Sequence, residues 1–405
     1  MAAVAQTSNG KKWHDRYPEL GTGPIPIAPY VSREYFEKER ERIFRKLWLN
    51  IGRVEEIPQP GDYFVKDLAV CNTSLLVVRG KDGAIRAFHN MCSHRGNQLV
   101  WDAQGTCQIF TCKFHGWAYA LDGSLRHITD EDNFFGLKKE TLGVTPVAVD
   151  TWEGFIFINV DPNPEQPLAE YLGEELRASL KGYPFEGIST NCFSWHTDVN
   201  ANWKVAKDAF QEVYHISTLH HKTIGSVYAS KANPYANALD FTLFPPHGRI
   251  SLSANPDRQP TPVESLARRF GAMVLQQNNL PSQGLPQGVN PTRYPHWSFD
   301  GIALFPNCLI YISAGTYLTH IFWPLAENRT RWEIRTYSPK AKTLAERFSQ
   351  EYGKVSFRDT LLEDGSTLER TQSMLASGAK KEIVLQDEEL FIRQHHKVTA
   401  RYLNA

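Results

Sequence analysis

The stretch "CSHRGNQLVWDAQGTCQIFTCKFH", residues 92–115, carries Cys92-x-His94, then seventeen residues, then Cys112-x-x-His115. Each of two short segments offers one thiol and one imidazole. Structural zinc sites more often put two cysteines on one loop and two histidines on the other. Donors that sort by residue type across two loops suit a [2Fe–2S] centre in which one iron takes two thiolates and the other two imidazoles. Cys107 makes a C-x4-C with Cys112, but no C-x2-C follows, so a plant-type ferredoxin pattern is not completed. Zinc on the same four side chains is the competing reading.

The flanks are hairpins. "SLLVVRGKDGAIRAFHN" turns at Asp82-Gly83 and delivers the chain to the first ligand loop, and "GWAYALDGSLRHI" turns at Asp122-Gly123 after the second. With "CSHRG" and "CKFHGW" as the matching words, the stretch resembles the N-terminal domain of Rieske-type ring-hydroxylating oxygenases.

The rest of the chain narrows the function classes. Its 405 residues suffice for two to three domains. Lys+Arg and Asp+Glu stand at 44 each, so no global field points to nucleic acid or to a membrane surface. No apolar run approaches the ~20 residues of a membrane span, and the N-terminal stretch lacks a signal-peptide core. Six sparse cysteines do not make a disulfide scaffold, and a reducing cytoplasm is the expected location. A Pro/Gly-rich arm precedes "SREYFEKERERIFRKLWLN", a helical stripe with Ser32 placed to cap it. Short strands follow to "GFIFINV", and "DPNPEQPL" reads as a linker. There is no G-x-G-x-x-G and no P-loop, so reducing equivalents have to come from another protein.

A cluster that moves single electrons has no open coordination position, so chemistry requires a second site. "NWKVAKDAFQEVYHISTLHHKT" supplies His215, His220 and His221, with Asp208 and Glu212 upstream. Two histidines and a carboxylate on one face are the Fe(II) set of non-haem oxygenases. On a regular helix, positions five apart lie ~140° from each other, so the helix must end or bulge between His215 and His220. Buried or surface histidines of no catalytic role are the plain alternative.

The resemblance extends here. In ring-hydroxylating α subunits the second domain reads N-W-K, then a carboxylate, two residues and H-x4-H; this chain has Asn202-Trp203-Lys204, Glu212-Val-Tyr-His215 and His220. The family most often has Asp where Glu212 stands. The resemblance implies that Glu212 bridges His215 to the Rieske His115 of a neighbouring subunit, with Asp208 and Tyr214 supporting the site. It also implies a third iron ligand in "EIVLQDEELFIRQHHK", where Asp387 is the expected residue and Glu382, Glu388 and Glu389 compete. His221, His395 and His396 are not expected to be ligands, and the last two are expected at the surface.

The implied fold is α+β: an arm and helix (1–45), an antiparallel β Rieske domain (46–165), and a helix-grip catalytic domain (166–405). The implied assembly is a trimer, with or without a small β subunit, because head-to-tail closure brings unlike sites together. The implied cofactors are a [2Fe–2S] cluster (Cys92, His94, Cys112, His115) and Fe(II) (His215, His220, Asp387). Electrons would come from NAD(P)H through a ferredoxin or flavin reductase. The implied reaction is hydroxylation of an aromatic or other apolar small molecule with O2; oxidative N- or O-dealkylation shares the same ligands, and a pure electron carrier is the more distant alternative. Leu304, Phe305, Leu309 and Tyr311 are candidate pocket residues, and residues 222–300 read as a lid without clear periodicity.

Overall fold

The computed structural model describes residues 12–271 and 284–404. Contacts divide it into two units, Arg40–Tyr171 and a second made of the described residues up to Glu39 together with Leu172 onward. The arm and its helix therefore do not stand apart: the helix Arg33–Glu39 belongs to the second unit.

In the unit Arg40–Tyr171, seven antiparallel strands run in the order 49–53, 155–159, 146–152, 85–89, 73–79, 62–68 and 104–106. The run Leu75–Val78 is fully buried, as a short continuous apolar stretch in a central strand should be. A three-stranded sheet, 110–111, 118–119 and 125–127, follows. Both expected hairpins form. Gly83 and Gly123 take the left-handed region at φ +80° and +85°, and at Gly123 a Cβ would lie 2.5 Å from the Phe88 ring. Phe88, Leu99, Phe110, Trp117, Tyr119 and Leu125 make a core that includes Cys92 and Cys112. The ligand loops thus grow from the hydrophobic centre of their unit.

The second unit is built on a seven-stranded antiparallel sheet ordered 191–199, 329–338, 316–326, 308–313, 297–304, 247–253 and 240–244. Six consecutive strands form a meander, and Asn191–Val199 closes onto the last of them. One face presents Phe241, Ile250, Leu252, Phe299, Leu318 and Trp332 to a core shared with Phe357, Leu361 and Leu368 of the long helix Leu344–Ala376. This is the α+β, helix-grip arrangement. The strands 240–244 and 247–253 and the helix Pro262–Phe270 lie in the region read from sequence as an unpatterned lid. Its period-2 signal was masked because 247–253 is buried along its whole length, polar residues included. Residues 272–283 of that expected lid lie outside the described residues.

Candidate metal centres and the cavity beside them

The two Rieske loops repeat one backbone design. Cys92 N–H donates to Asn97 O (2.8 Å) and Gly96 N–H returns to Cys92 O (3.0 Å); Cys112 N–H donates to Trp117 O (2.8 Å) and Gly116 N–H to Cys112 O (3.0 Å). Gly96 and Gly116 both hold positive φ, +74° and +72°. The design aims both side chains of each loop the same way. The His94 and His115 ring centroids come to 4.6 Å, and His94 stacks on Trp117. Tyr119 OH lies 3.2 Å from Cys92 Sγ and accepts from Ser93 N–H, while Asn97 Nδ2 donates to Cys112 Sγ at 3.7 Å. Burial pushes the Cys92 thiol up. At Cys112 burial acts the same way but is outweighed by hydrogen bonds from backbone and side-chain neighbours, which bring that thiol below its usual range. His94 Nδ1 is buried with no hydrogen-bond partner among the described residues. Two thiols within reach of each other and an orphaned imidazole nitrogen fit a metal cluster, because an unfilled polar site of this kind would be costly.

The second centre begins at Asn202, whose side chain caps the helix Trp203–Asp208. Lys204 and Trp203 of that helix anchor to the buried Glu39 carboxylate at 2.6–2.9 Å. The chain then makes a single helical turn, Ile216–Leu219, with His215 just before it and His220 just after. The break between the histidines that their spacing requires is this pair of helix ends.

His215 Nδ1 donates to Glu212 and His220 Nδ1 to Glu363 Oε2 (2.8 Å). Carboxylate oxygens accept, so each ring carries its proton on Nδ1 and presents a bare Nε2. Those two nitrogens lie 3.2 Å apart, and Asp364 Oδ1 lies 3.1 Å from His220 Nε2 and 3.5 Å from His215 Nε2. That oxygen is buried and has no hydrogen-bond partner among the described residues. Three lone-pair donors converging without a proton between them repel one another unless a cation sits at their centre. Donors at right angles, about 2.1 Å from a first-row metal ion, would be about 3.0 Å apart, close to what is seen. The residues fit a mononuclear metal held by two His and one Asp.

The carboxylate that meets the two histidines is Asp364, and Asp387 lies elsewhere. Asp387 accepts from the backbone N–H of Trp13 (2.7 Å) and His14 (3.0 Å), at the start of the short helix Trp13–Arg16 in the arm. Glu388 accepts from Trp13 Nε1 and Ala238 N–H, and Glu389 from Gln386 N–H. Glu382 sits in a short strand paired with Pro26. The acidic run is a helix start, its carboxylates spent on N–H donors. Asp364 had a signal that was passed over. Phe357, Leu361 and Leu368 make an apolar stripe on the long helix, flanked by buried Ser349, Gly353, Thr360 and Gln372, and Asp364 falls within it; a buried acid is seldom without a partner.

Other expected positions divide. Asp208 is buried, accepting from Tyr30 OH (2.6 Å) and Gln211 Nε2 (3.3 Å); burial raises its carboxyl to about 7. Tyr214 is an exposed side chain. His221 is exposed, near Thr218 O. His395 is buried and His396 partly buried, contrary to the surface expectation, because the C-terminal helix Leu390–Asn404 packs inward there: His395 meets Trp203 and Phe305 edge-on, and His396 Nε2 lies 2.7 Å from Tyr30 OH.

A cavity opens beside the three donors. Its walls are mainly apolar and aromatic, including Phe210, Ile224, Tyr228, Phe299, Tyr311 and Phe357, and no Lys or Arg is among them. Of the four candidate pocket residues only Tyr311 lines it. Leu309 is on the same face but in the core, and Leu304 falls on the opposite face of its strand from Phe299. Phe305 stacks on Tyr402 instead.

Comparison with known proteins agrees with this geometry. Residues 47–149 match the Rieske [2Fe-2S] domain, and residues 191–405 match the ring hydroxylating alpha subunit catalytic domain. The carnitine monooxygenase oxygenase subunit of Acinetobacter pittii is 34% identical over 210 residues, 51% of this chain and 55% of that one, so the chain spans about half the length of that relative. The 2,4-dinitrotoluene dioxygenase large oxygenase component of a Burkholderia is 29% identical over 354 residues, 82% of this chain and 74% of that one. A quaternary ammonium Rieske monooxygenase structure superposes with TM-score 0.75 at 21% identity, covering 96% of this chain and 98% of that one. Naphthalene 1,2-dioxygenase from Rhodococcus gives 0.72 at 19%, covering 99% of both chains; at these identities the likeness is one of fold. With its catalytic-domain match covering residues 191–405 and a Rieske domain ahead of it, the chain belongs to the ring-hydroxylating oxygenase α-subunit family.

Proposed function

We propose that the chain is the terminal oxygenase component of a multicomponent Rieske oxygenase that hydroxylates an aromatic or other apolar small molecule. The observation that carries this is the meeting of His215 Nε2, His220 Nε2 and Asp364 Oδ1 at the edge of an apolar cavity, in a chain that also builds a Cys2His2 loop pair. Bound cluster and iron would supply single-electron delivery and O2 activation. The chain's own residues do the rest. Cys92, His94, Cys112 and His115 hold the cluster. Glu212 and Glu363 fix the imidazole tautomers and raise the basicity of the ring nitrogens that face the metal. The aromatic walls orient the substrate and limit water.

Glu212 also has a route role in this reading. It holds its own His215, and in a closed ring of copies it would receive the His115 of a neighbouring copy, giving electrons a short bonded path. A trimer, with or without a small β subunit, fits that geometry of supply. The electrons come from a ferredoxin or flavin reductase using NAD(P)H, and the cytoplasm suits six free cysteines. No helix among the described residues is long and apolar enough to cross a membrane.

Oxidative dealkylation is the second reading. It is favoured by the carnitine monooxygenase relatives and by Glu212 where most of the family carries Asp. A zwitterionic amine with a carboxylate, however, would find no Lys or Arg among the described lining residues. The test is a single turnover: chemically reduced protein, O2 labelled with heavy oxygen, and a panel of aromatic hydrocarbons, aryl ketones and N-methyl anilines. The reading requires substrate-dependent reoxidation of the cluster with label in a hydroxylated product. Reoxidation without any labelled product from the panel would reject it.

A further inference from the structure

One buried polar group in the cavity wall is not used by the metal chemistry. His320 lies in the strand Thr316–Ala326, fully buried, stacked on Phe210 with centroids 4.8 Å apart and on Trp332 at 5.7 Å. Trp332 Nε1–H donates to its Nδ1 at 3.0 Å. An indole nitrogen only donates, so Nδ1 is the acceptor. Burial drives the ring's pKa down to about 3, leaving a neutral imidazole with its one proton on Nε2. That Nε2 has no hydrogen-bond partner among the described residues, and the side chain lines the cavity. A buried donor left unfilled costs of order 1–3 kcal/mol, so a site that retains one gains selectively from a ligand that fills it.

We infer that His320 is a specificity-determining residue whose Nε2–H receives the uncharged oxygen acceptor of an aromatic substrate and so fixes which ring edge faces His215, His220 and Asp364. The inference rests on the oxygenase reading and narrows its substrate class to aromatics with one neutral acceptor, such as an aryl ketone, aryl ether or ring carbonyl. Two features of the wall select against a carboxylate. The donor is neutral, and no Lys or Arg among the described residues lines the cavity. Trp332 is a positioning residue: it sets the tautomer that leaves Nε2 as donor. Gly301 keeps room for the aromatic wall, since a Cβ there would lie 3.1 Å from the Tyr311 ring and 3.0 Å from Ile250.

The test uses the iron-loaded, cluster-containing protein under anaerobic conditions and two probes of nearly equal shape, acetophenone and α-methylstyrene, in which C=O is replaced by C=CH2. Calorimetry gives the affinity of each for the parent protein, for His320→Phe and for Trp332→Phe. Comparing proteins, rather than probes, cancels the difference in probe desolvation. His320→Phe is expected to weaken acetophenone about tenfold while α-methylstyrene changes less than threefold. Trp332→Phe keeps the imidazole but frees its tautomer and is expected to lose part of the same selectivity, which keeps the test open if His320→Phe does not fold. Equal effects on both probes in whichever variant folds, or failure of the parent protein to bind either probe, would overturn the inference. Absence of a third iron in the parent protein would instead sink the oxygenase reading itself, so the two failures are told apart.

Discussion

The two candidate metal centres are assembled in opposite ways. The four cluster side chains lie within residues 92–115, on two loops of matching hydrogen-bond pattern. The mononuclear site draws two histidines from the ends of one helical turn and a carboxylate from a 33-residue helix far along the chain. Local loops write their ligands into sequence spacing. A site closed by tertiary packing shows only as a misplaced polar residue in an apolar stripe.

Independence of the two centres is the first thing to break. Cys112→Ser should abolish the visible absorption of the cluster, because a neutral hydroxyl does not replace a thiolate on iron, yet the mononuclear iron should be retained. Loss of both metals together would mean that the centres are coupled through folding. In the mirror experiment, His220→Ala should remove the mononuclear iron and all oxygenation while the cluster spectrum stays unchanged. His221→Ala, at an exposed ring, should leave iron content at the parent level. The reverse ranking would shift the register by one residue.

The support of each centre differs as well. Glu363→Gln removes the charge behind His220 Nδ1, and iron affinity should fall about 10–100-fold, measured by chelator competition. Glu212→Gln should do the same at His215 and also slow substrate-driven reoxidation of the cluster in rapid mixing, a second effect that Glu363→Gln should not show. Deeper still, Lys204→Met strands the Glu39 carboxylate, both groups being essentially without exposure, and should cost about 3–5 kcal/mol in denaturant unfolding. The smallest effect concerns pH. Burial raises the Asp364 carboxyl, and at His215 burial lowers the ring but the pull of Glu212 outweighs it, so both groups take up protons at higher pH than usual. Protons compete with metal at such donors, and iron affinity should therefore fall as pH is lowered; an affinity that rises with acid would contradict this.

How much of this was legible follows from the same contrast. The paired Cys-His loops, both hairpins and the required break between His215 and His220 were readable because each depends on neighbours in sequence. Asp387 was misread because acids at a helix start resemble a ligand run, and what distinguishes them is that their oxygens are already filled by the backbone of Trp13 and His14. Leu304 was misplaced because strand register decides which face meets the cavity, and Phe305 because it lies just past that strand and stacks on Tyr402. His320 is invisible in sequence as a donor, since its free proton is set by Trp332 across the sheet.

The measurement that bears most directly on the central claim is iron per chain in Asp364→Ala against Asp387→Ala, with sulfide quantified to count the cluster. The account predicts two irons and an intact cluster spectrum for Asp364→Ala, and three irons for Asp387→Ala with at most a loss of thermal stability from the released arm. Three irons in Asp364→Ala, or loss of the third iron only in Asp387→Ala, would contradict it.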